Sequence, residues 1–524
     1  MSGEILDVAI VGGGVSGVYS AWRLLTEGKR ARVEVFEAGN HIGGRLLSVT
    51  PPGISNMTAE LGGMRILPAV QPRITKLIQV LNREASPNER IDTYPFPVDQ
   101  PANISYLRGI HLRLRDFQSN PSEVPYHLTF LEFGNTPGQL VVNAINQLVP
   151  GITDPKLSEE QRKKMAQEAS FDGKPLYQQG FWNVLMRVMS GEAYQLGLAA
   201  GGYETTLTNW NAADAIPWYL SDFGVDPKYE GFRKGFQQVP LTLEDRVKKV
   251  HGLVHCNRRV LGFDRTGDGI ELRLADGNVV QTKSLILAMP RRALDLITGA
   301  SPILQDQSVR RLIESVTPRP LFKLFTTYDS PWWLPAGVEK GRTTTDLPVR
   351  QTYYWPKDDG QPATQGRAML MASYDDGTNI GFWDGFRAKR GIGWRGGLEN
   401  VKEPDWFLGA ADKSGASHEG WLEHHAPARM VDEVQRQLAV IHGLQFTPGV
   451  VDACFKDWGD DPFGGGWNSW NIGAKSWEVK EQIINPAPDV YICGEAYSDA
   501  QGWVEGAIET ADLMLKKFGI CPLS

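Results

Sequence analysis

Residues Ile5 to Val11 form a short, nearly unbroken apolar run that ends in glycines, the pattern of a strand buried on both faces of a parallel sheet. A helix is predicted from about Ser16 to Glu27 and a second apolar strand from Arg32 to Glu37, so strand, helix and strand follow within ~35 residues. From about Gln71 to Pro240 the apolar spacing becomes that of amphipathic helices, as in Arg73–Leu81 and Ser158–Glu168. Ser158 and Gln161 make a capping box for the latter. Strands return over Val254 to Ile297, with hairpin signals at Thr266-Gly-Asp-Gly and Asp276-Gly and a buried strand at Leu285–Ala288. They dominate from Lys323 to about Trp383. Gly391 to Gly420 reads as a long loop or insertion, and Ala426 to Leu438 as a helix. Asp489–Cys493 is a last buried strand, followed by Gly494-Glu495 and a helix from about Val504 to Phe518.

The nucleotide-binding β pattern therefore occurs three times, at the start, in the middle and at the end. The predicted class is α/β with α+β elements. A Rossmann-type domain is assembled from residues 1–70, 241–320 and 450–524, with a largely helical substrate region over 71–240 and a substrate-binding domain of mixed sheet and helices over 321–449. Two or three domains suit 524 residues, too many for one core. A net charge of −7 argues against nucleic acid or an anionic membrane as partner. Cys256, Cys454, Cys493 and Cys521 show no metal or redox spacing, so neither a disulfide framework nor a metal is expected. The grouped His418, His424 and His425 lie in a surface-like stretch. No signal-peptide pattern precedes the first strand and no apolar run reaches ~18 residues, which points to a cytoplasmic chain without a membrane span.

The first turn, Gly12-Gly-Gly14-Val15-Ser16-Gly17, fits G-x-G-x-x-G. Gly12 permits the tight turn, Gly14 lets a pyrophosphate approach the helix start, and Gly17 lets helix and strand pack closely. The motif is weak alone, but Glu37 stands 20 residues past Gly17, where an acid accepts hydrogen bonds from ribose hydroxyls. A free 2′-hydroxyl suits FAD or NAD and disfavours NADP.

Glu37-Ala38-Gly-Asn-His-Ile-Gly43-Gly44-Arg45 carries the strand into a glycine pair and an arginine. Here the chain resembles the flavin amine oxidase family, in which such an arginine touches the FAD phosphates. Gly494-Glu495…Gly502-Trp503-Val504 resembles the family's closing FAD motif, with the helix from Val504 aimed at the flavin. Val260 resembles the residue whose backbone holds adenine. The resemblance spans residues 5 to 518.

Within it, Glu60-Leu-Gly62-Gly63-Met64-Arg65 resembles the segment that passes over the flavin, and in the L-amino acid oxidase branch an arginine at Arg65 binds the substrate carboxylate. The competing reading is a structural or phosphate-facing arginine. Lys323, alone in an apolar strand, matches the family lysine that holds a water near the flavin and assists reaction with O2; otherwise it snorkels to the surface. Trp503 resembles an aromatic wall beside the amine, with the Gly502 carbonyl as acceptor. Tyr354 resembles a tyrosine that helps Arg65, with the register among Tyr353, Tyr354 and Trp355 open by one residue. Trp218 and Tyr219 line the side-chain pocket or simply pack. Phe463-Gly-Gly-Gly466-Trp467-Asn468 lacks the cysteine that carries flavin covalently in monoamine oxidases, so the FAD is expected to be non-covalent, and Asn468 replaces that branch's cage tyrosine.

The resemblance implies oxidation of an L-amino acid to a 2-oxo acid with release of ammonia and hydrogen peroxide, O2 being the acceptor and a homodimer or higher homo-oligomer the working form. Alternatives are an amine or polyamine oxidase, an amino acid 2-monooxygenase, and a flavoprotein that is not an enzyme. Abundant tryptophan and no evident acidic pocket favour large apolar or neutral substrates over basic ones.

Overall fold

The computed structural model describes residues 5–28, 30, 32–223, 227–267, 269–387, 418–460, 463 and 465–523. Most of the stretch read as a long loop, Gly391 to Gly420, lies outside them.

The strand Leu6–Val11 is buried along its length because it is central in a sheet covered on both faces. Val33–Phe36 runs parallel on one side of it and Val279–Leu287 parallel on the other. Leu253–His255 extends the sheet beyond Val33–Phe36, while Val260–Thr266, Gly269–Leu274 and Val279–Leu287 form an antiparallel meander. The last strand, Val490–Ile492, adds in parallel to Val279–Leu287. Segments hundreds of residues apart thus make one sheet. The helix Val15–Thr26 packs between Val504–Leu515 and Gln238–Lys249 on one face.

A second sheet has the order Asp452–Asp457, Leu321–Tyr328, Ala368–Asp376, Gln351–Tyr354, Gly341–Thr345, Ile104–Leu107, Ile110–Arg113. Three of its strands differ from the sequence reading. Ile104–Arg113 lies in the stretch read as helical, yet it is a hairpin turned by Arg108 (φ 49°) and Gly109 (φ 82°), and it pairs with Gly341–Thr345. Four-residue strands are too short to stand out against the helical periodicity around them. Asp452–Asp457 joins this sheet rather than the nucleotide sheet, although the sequence pattern groups residues 450–524 together.

Helices Pro137–Leu148, Glu159–Glu168, Gly191–Gly201 and Ala212–Phe223 form a third layer with its own core. The first two begin with capping boxes, Thr136 with Gln139 and Ser158 with Gln161. The helix Pro72–Asn82 has no side-chain cap of its own at Gln71. The buried Glu505 carboxylate serves instead, accepting the Arg73 and Ile74 N–H groups at 3.1 and 3.0 Å. Among the described residues no helix is long and apolar enough to cross a membrane.

Candidate functional site

A cavity of about 440 Å³ runs from the first glycine turn, past the edge of the nucleotide sheet, to the second sheet and the helical layer. Glu37 stands at its far end. Its carboxylate accepts the N–H groups of Gly13 and Gly39, each at 2.6 Å, so the acid is fixed under the turn. Ala38 and Val260 line the same end.

The glycines of the turn have separate duties. A Cβ on Gly12 (φ 111°) would lie 2.4 Å from the Ala288 carbonyl oxygen, and one on Gly17 only 1.9 Å from that of Gly12. These two are required by packing, and Gly17 does not line the cavity. A Cβ on Gly14 would meet no atom within 4 Å, since it would project into the cavity itself. Gly14 caps the helix Val15–Thr26 without a side chain, and Val15 and Ser16 line the cavity at the helix start. That is a cradle for a phosphate group. Gly44 approaches from the other side, its Cβ position 3.3 Å from Gly14 Cα.

Arg45 crosses from this cradle to the closing motif, where its Nη1 donates to Glu495 Oε2 at 2.6 Å. Glu495 is buried and also accepts the N–H of Asn468 (3.0 Å) and of Gly502 (2.6 Å). Gly494 (φ 140°) and Gly502 (φ 84°) hold backbone forms that favour glycine. Trp503 precedes the helix Val504–Leu515, which has no side-chain cap, and Trp503 and Val504 both line the cavity. Gly62, Gly63 and Met64 form the opposite wall. An acid for ribose, an uncapped helix start with an empty Cβ position, and an arginine beside glycine backbone fit an FAD laid along the cavity.

Lys323 comes from the strand Leu321–Tyr328 and is 2% exposed. Its Nζ donates to the carbonyls of Glu60 (3.0 Å) and Gly62 (2.5 Å) and lies 4.8 Å from the Tyr374 ring centroid. Burial drives its pKa down and, conversely, that of the Glu60 carboxyl up.

Arg65 is 5% exposed at the inner end. Its guanidinium carbon sits 4.0 Å from the Tyr229 ring centroid, and its Nη1 donates to the Tyr353 hydroxyl at 3.2 Å. Among the described residues no carboxylate hydrogen-bonds it or comes within 4.0 Å of it. Asp222 acts on it from longer range, and a buried guanidinium that faces a cavity without a carboxylate in direct contact has the chemistry to take one from a ligand.

Tyr354 is corrected by the structure. Successive strand residues face opposite sides, so Tyr353 reaches Arg65 while Tyr354 points away, bonded to Thr343 Oγ1 (2.7 Å) and His442 Nε2 (2.8 Å). Trp355 donates to the Thr58 carbonyl. Trp218 lines the cavity, whereas Tyr219 packs against Phe181 and Phe223.

Several lining residues were not read from the sequence. Trp467 stacks on Trp218 with centroids 5.4 Å apart, and its place directly after the Gly464–466 run was the available signal. The cavity also holds acids, contrary to the sequence reading. Asp222 takes a hydrogen bond from Tyr229 (3.0 Å), and Asp376 takes those of the Glu204 and Thr205 N–H groups. Burial raises the pKa of both. Asp222 follows Ser221 near the end of a helix, and Asp376 follows Asp375 at a strand end before Gly377, so each reads in the sequence as an ordinary polar terminus. His41, within the Glu37–Arg45 motif, and His424 line the cavity too.

The sequence profile of the family described as flavin containing amine oxidoreductase matches residues 15–390. Aplysianin-A of Aplysia kurodai is 29% identical to this chain, over 98% of this chain and 90% of the relative. An L-amino-acid oxidase of Crotalus adamanteus is 25% identical over 66% of this chain and 62% of the relative. The solved structure of a putrescine oxidase bound to putrescine has the same fold, with a TM-score of 0.68 at 16% identity, covering 98% of this chain and 99% of that one.

Proposed function

The chain belongs to the flavin-containing amine oxidoreductases, and from that premise we propose that it oxidises L-α-amino acids to 2-oxo acids, ammonia and hydrogen peroxide. The observation that carries the substrate class is Arg65, a buried guanidinium without a carboxylate partner, aimed into the cavity. Simple amines have nothing for it to bind.

The cofactor is FAD. We propose that it is held without a covalent bond by Glu37, the Gly12–Gly14 turn, Arg45, Glu495 and the start of the helix Val504–Leu515. Cys256, the cysteine that lines the cavity, follows the strand Leu253–His255 at the ribose end. When bound, FAD would supply the two-electron acceptor chemistry that oxidation of the Cα–H bond and reduction of O2 to hydrogen peroxide require.

The chain's own groups do the rest. Arg65, with the Tyr353 hydroxyl, fixes the carboxylate and so the direction of the Cα–H bond. The Gly502 carbonyl accepts an N–H of the neutral amine, which leaves its lone pair free to form the imine as hydride departs. Trp467, Trp218 and Trp503 keep the reacting carbon dry. Lys323 puts a cation on the wall where O2 must take up charge. Water then splits the imino acid into 2-oxo acid and ammonia. We also propose a homo-oligomer as the working form, to be checked by sedimentation.

The test is peroxide release by the purified protein given the twenty L-amino acids and, separately, the corresponding decarboxylated amines. Peroxide from L-amino acids alone is expected. Arg65→Ala lowers kcat/KM by about 100-fold or more while FAD stays bound, since charge-assisted hydrogen bonds contribute ~1.5–3 kcal/mol each. Peroxide from amines alone overturns the reading, and amide with CO2 as products moves it to a monooxygenase.

A further inference from the structure

Lys323 and Glu60 are both buried, yet neither touches an opposite charge. Among the described residues the Lys323 ammonium meets two backbone carbonyls and no carboxylate within 4.0 Å. The Glu60 carboxylate, 3% exposed, accepts from Ser48 Oγ (2.7 Å) and the Phe236 N–H (2.6 Å), with no cation within 4.0 Å. An isolated buried ion is costly, and two of opposite sign joined by one residue's backbone offset each other.

The surroundings leave Glu60 as the compensating group. Across the sheet Lys323 is paired with Tyr374 on one side and Lys456 on the other. Arg65 bears on it from the segment that crosses above, and Glu60 is the carboxylate whose charge reaches it. On its other flank Glu60 faces Tyr94 and Asp358, which add no cation.

We propose that Glu60 is a positioning residue that keeps Lys323 protonated on the flavin wall of the cavity, holding its ammonium by the backbone carbonyl and supporting its charge by the carboxylate. This rests on the reading that flavin lies against that wall. Burial pushes the lysine toward its neutral form, and Glu60 opposes that shift. With Glu60 ionised, Lys323 stays cationic to higher pH. Without it the charge is lost at lower pH, and with it the help given to O2 as it takes two electrons and two protons to become hydrogen peroxide.

The test uses sulfite, an anion that binds oxidised flavin and bleaches its colour, so its dissociation constant reports positive charge at the flavin. The holoenzyme is titrated with sulfite across pH in the wild type, Glu60→Gln, Glu60→Asp and Lys323→Met, the last supplying the pH dependence of sulfite itself. Relative to that baseline, wild-type affinity falls as pH rises through the lysine's titration. In Glu60→Gln the midpoint moves down by about one pH unit, and Glu60→Asp restores it. A Glu60→Gln midpoint equal to that of the wild type, or a wild-type profile identical to that of Lys323→Met, overturns the proposal. The readout needs no amino acid. A failure here with amino acid turnover intact sinks only the Glu60 role, and a shift without such turnover sinks only the substrate reading.

Discussion

Arg65 and Tyr353 lie 288 positions apart and are joined by one hydrogen bond of 3.2 Å. The hydroxyl accepts from the guanidinium and donates weakly to Gln351 Oε1 at 3.4 Å, so under the proposed reading a bound carboxylate could draw that donor to itself. Tyr353→Phe should therefore raise KM for L-amino acids about five- to tenfold, the value of roughly one hydrogen bond, with kcat changed less. Tyr354→Phe should leave KM unchanged and cost about 1 kcal/mol of stability, because its hydroxyl serves Thr343 and His442. Steady-state kinetics beside urea unfolding of both variants checks this, and reversed effects would restore Tyr354 to the site.

The two glycines that flank the helix start should fail in different ways. Gly14→Val places its side chain where no protein atom stands, so the protein should fold with a near-normal Tm but purify colourless. Gly17→Ala brings a methyl group against the Gly12 carbonyl, so it should lose stability first, by about 2 kcal/mol or more. Flavin absorbance per mole of protein and the unfolding midpoint separate the two.

Asp222 shares the cavity with Arg65 and hydrogen-bonds the tyrosine beneath it. Its carboxylate weakens the pull of Arg65 on an incoming carboxylate and favours a cation. Asp222→Asn should lower KM for a neutral amino acid such as leucine by about threefold to tenfold and raise it for lysine. Equal shifts for both substrates would show that Asp222 acts only through the shape of the pocket.

Glu505→Gln removes the charged cap of the helix Pro72–Asn82 together with the ion pair to Arg73. The expected loss is about 1–3 kcal/mol in denaturant unfolding. Protection of the amides at Arg73 and Ile74 in hydrogen exchange should fall with it.

The nucleotide half was legible because its chemistry is local. Gly12, Gly14, Gly17 and Glu37 lie within one strand–helix–strand unit, and Gly494, Glu495 and Gly502 within one turn. The substrate end is assembled from distant strands. Arg65 and Lys323 could be singled out because a charge inside an apolar run is visible one residue at a time. Tyr353 could not be told from Tyr354, since the choice depends on which face of Gln351–Tyr354 the neighbouring strand leaves open. Asp222 was hidden for a related reason. On a helix, which side a lone acid faces is decided by what packs against it, here Tyr229 arriving from beyond the helix. The hairpin at Ile104–Arg113 was missed although Arg108-Gly109 is a two-residue turn, because its partner strand begins more than two hundred residues later.

The strand Val490–Ile492 and the motif after it bring Glu495, Gly502, Trp503 and Val504 to a cavity whose first wall was laid down by residues 12–17. During synthesis residues 12–17 leave the ribosome hundreds of residues ahead of the segment that gives that wall its counterpart. Flavin capture is thus a late event, and a product that stops short of residue 490 should emerge colourless, with the face of Leu285–Leu287 left bare for proteases and chaperones to read.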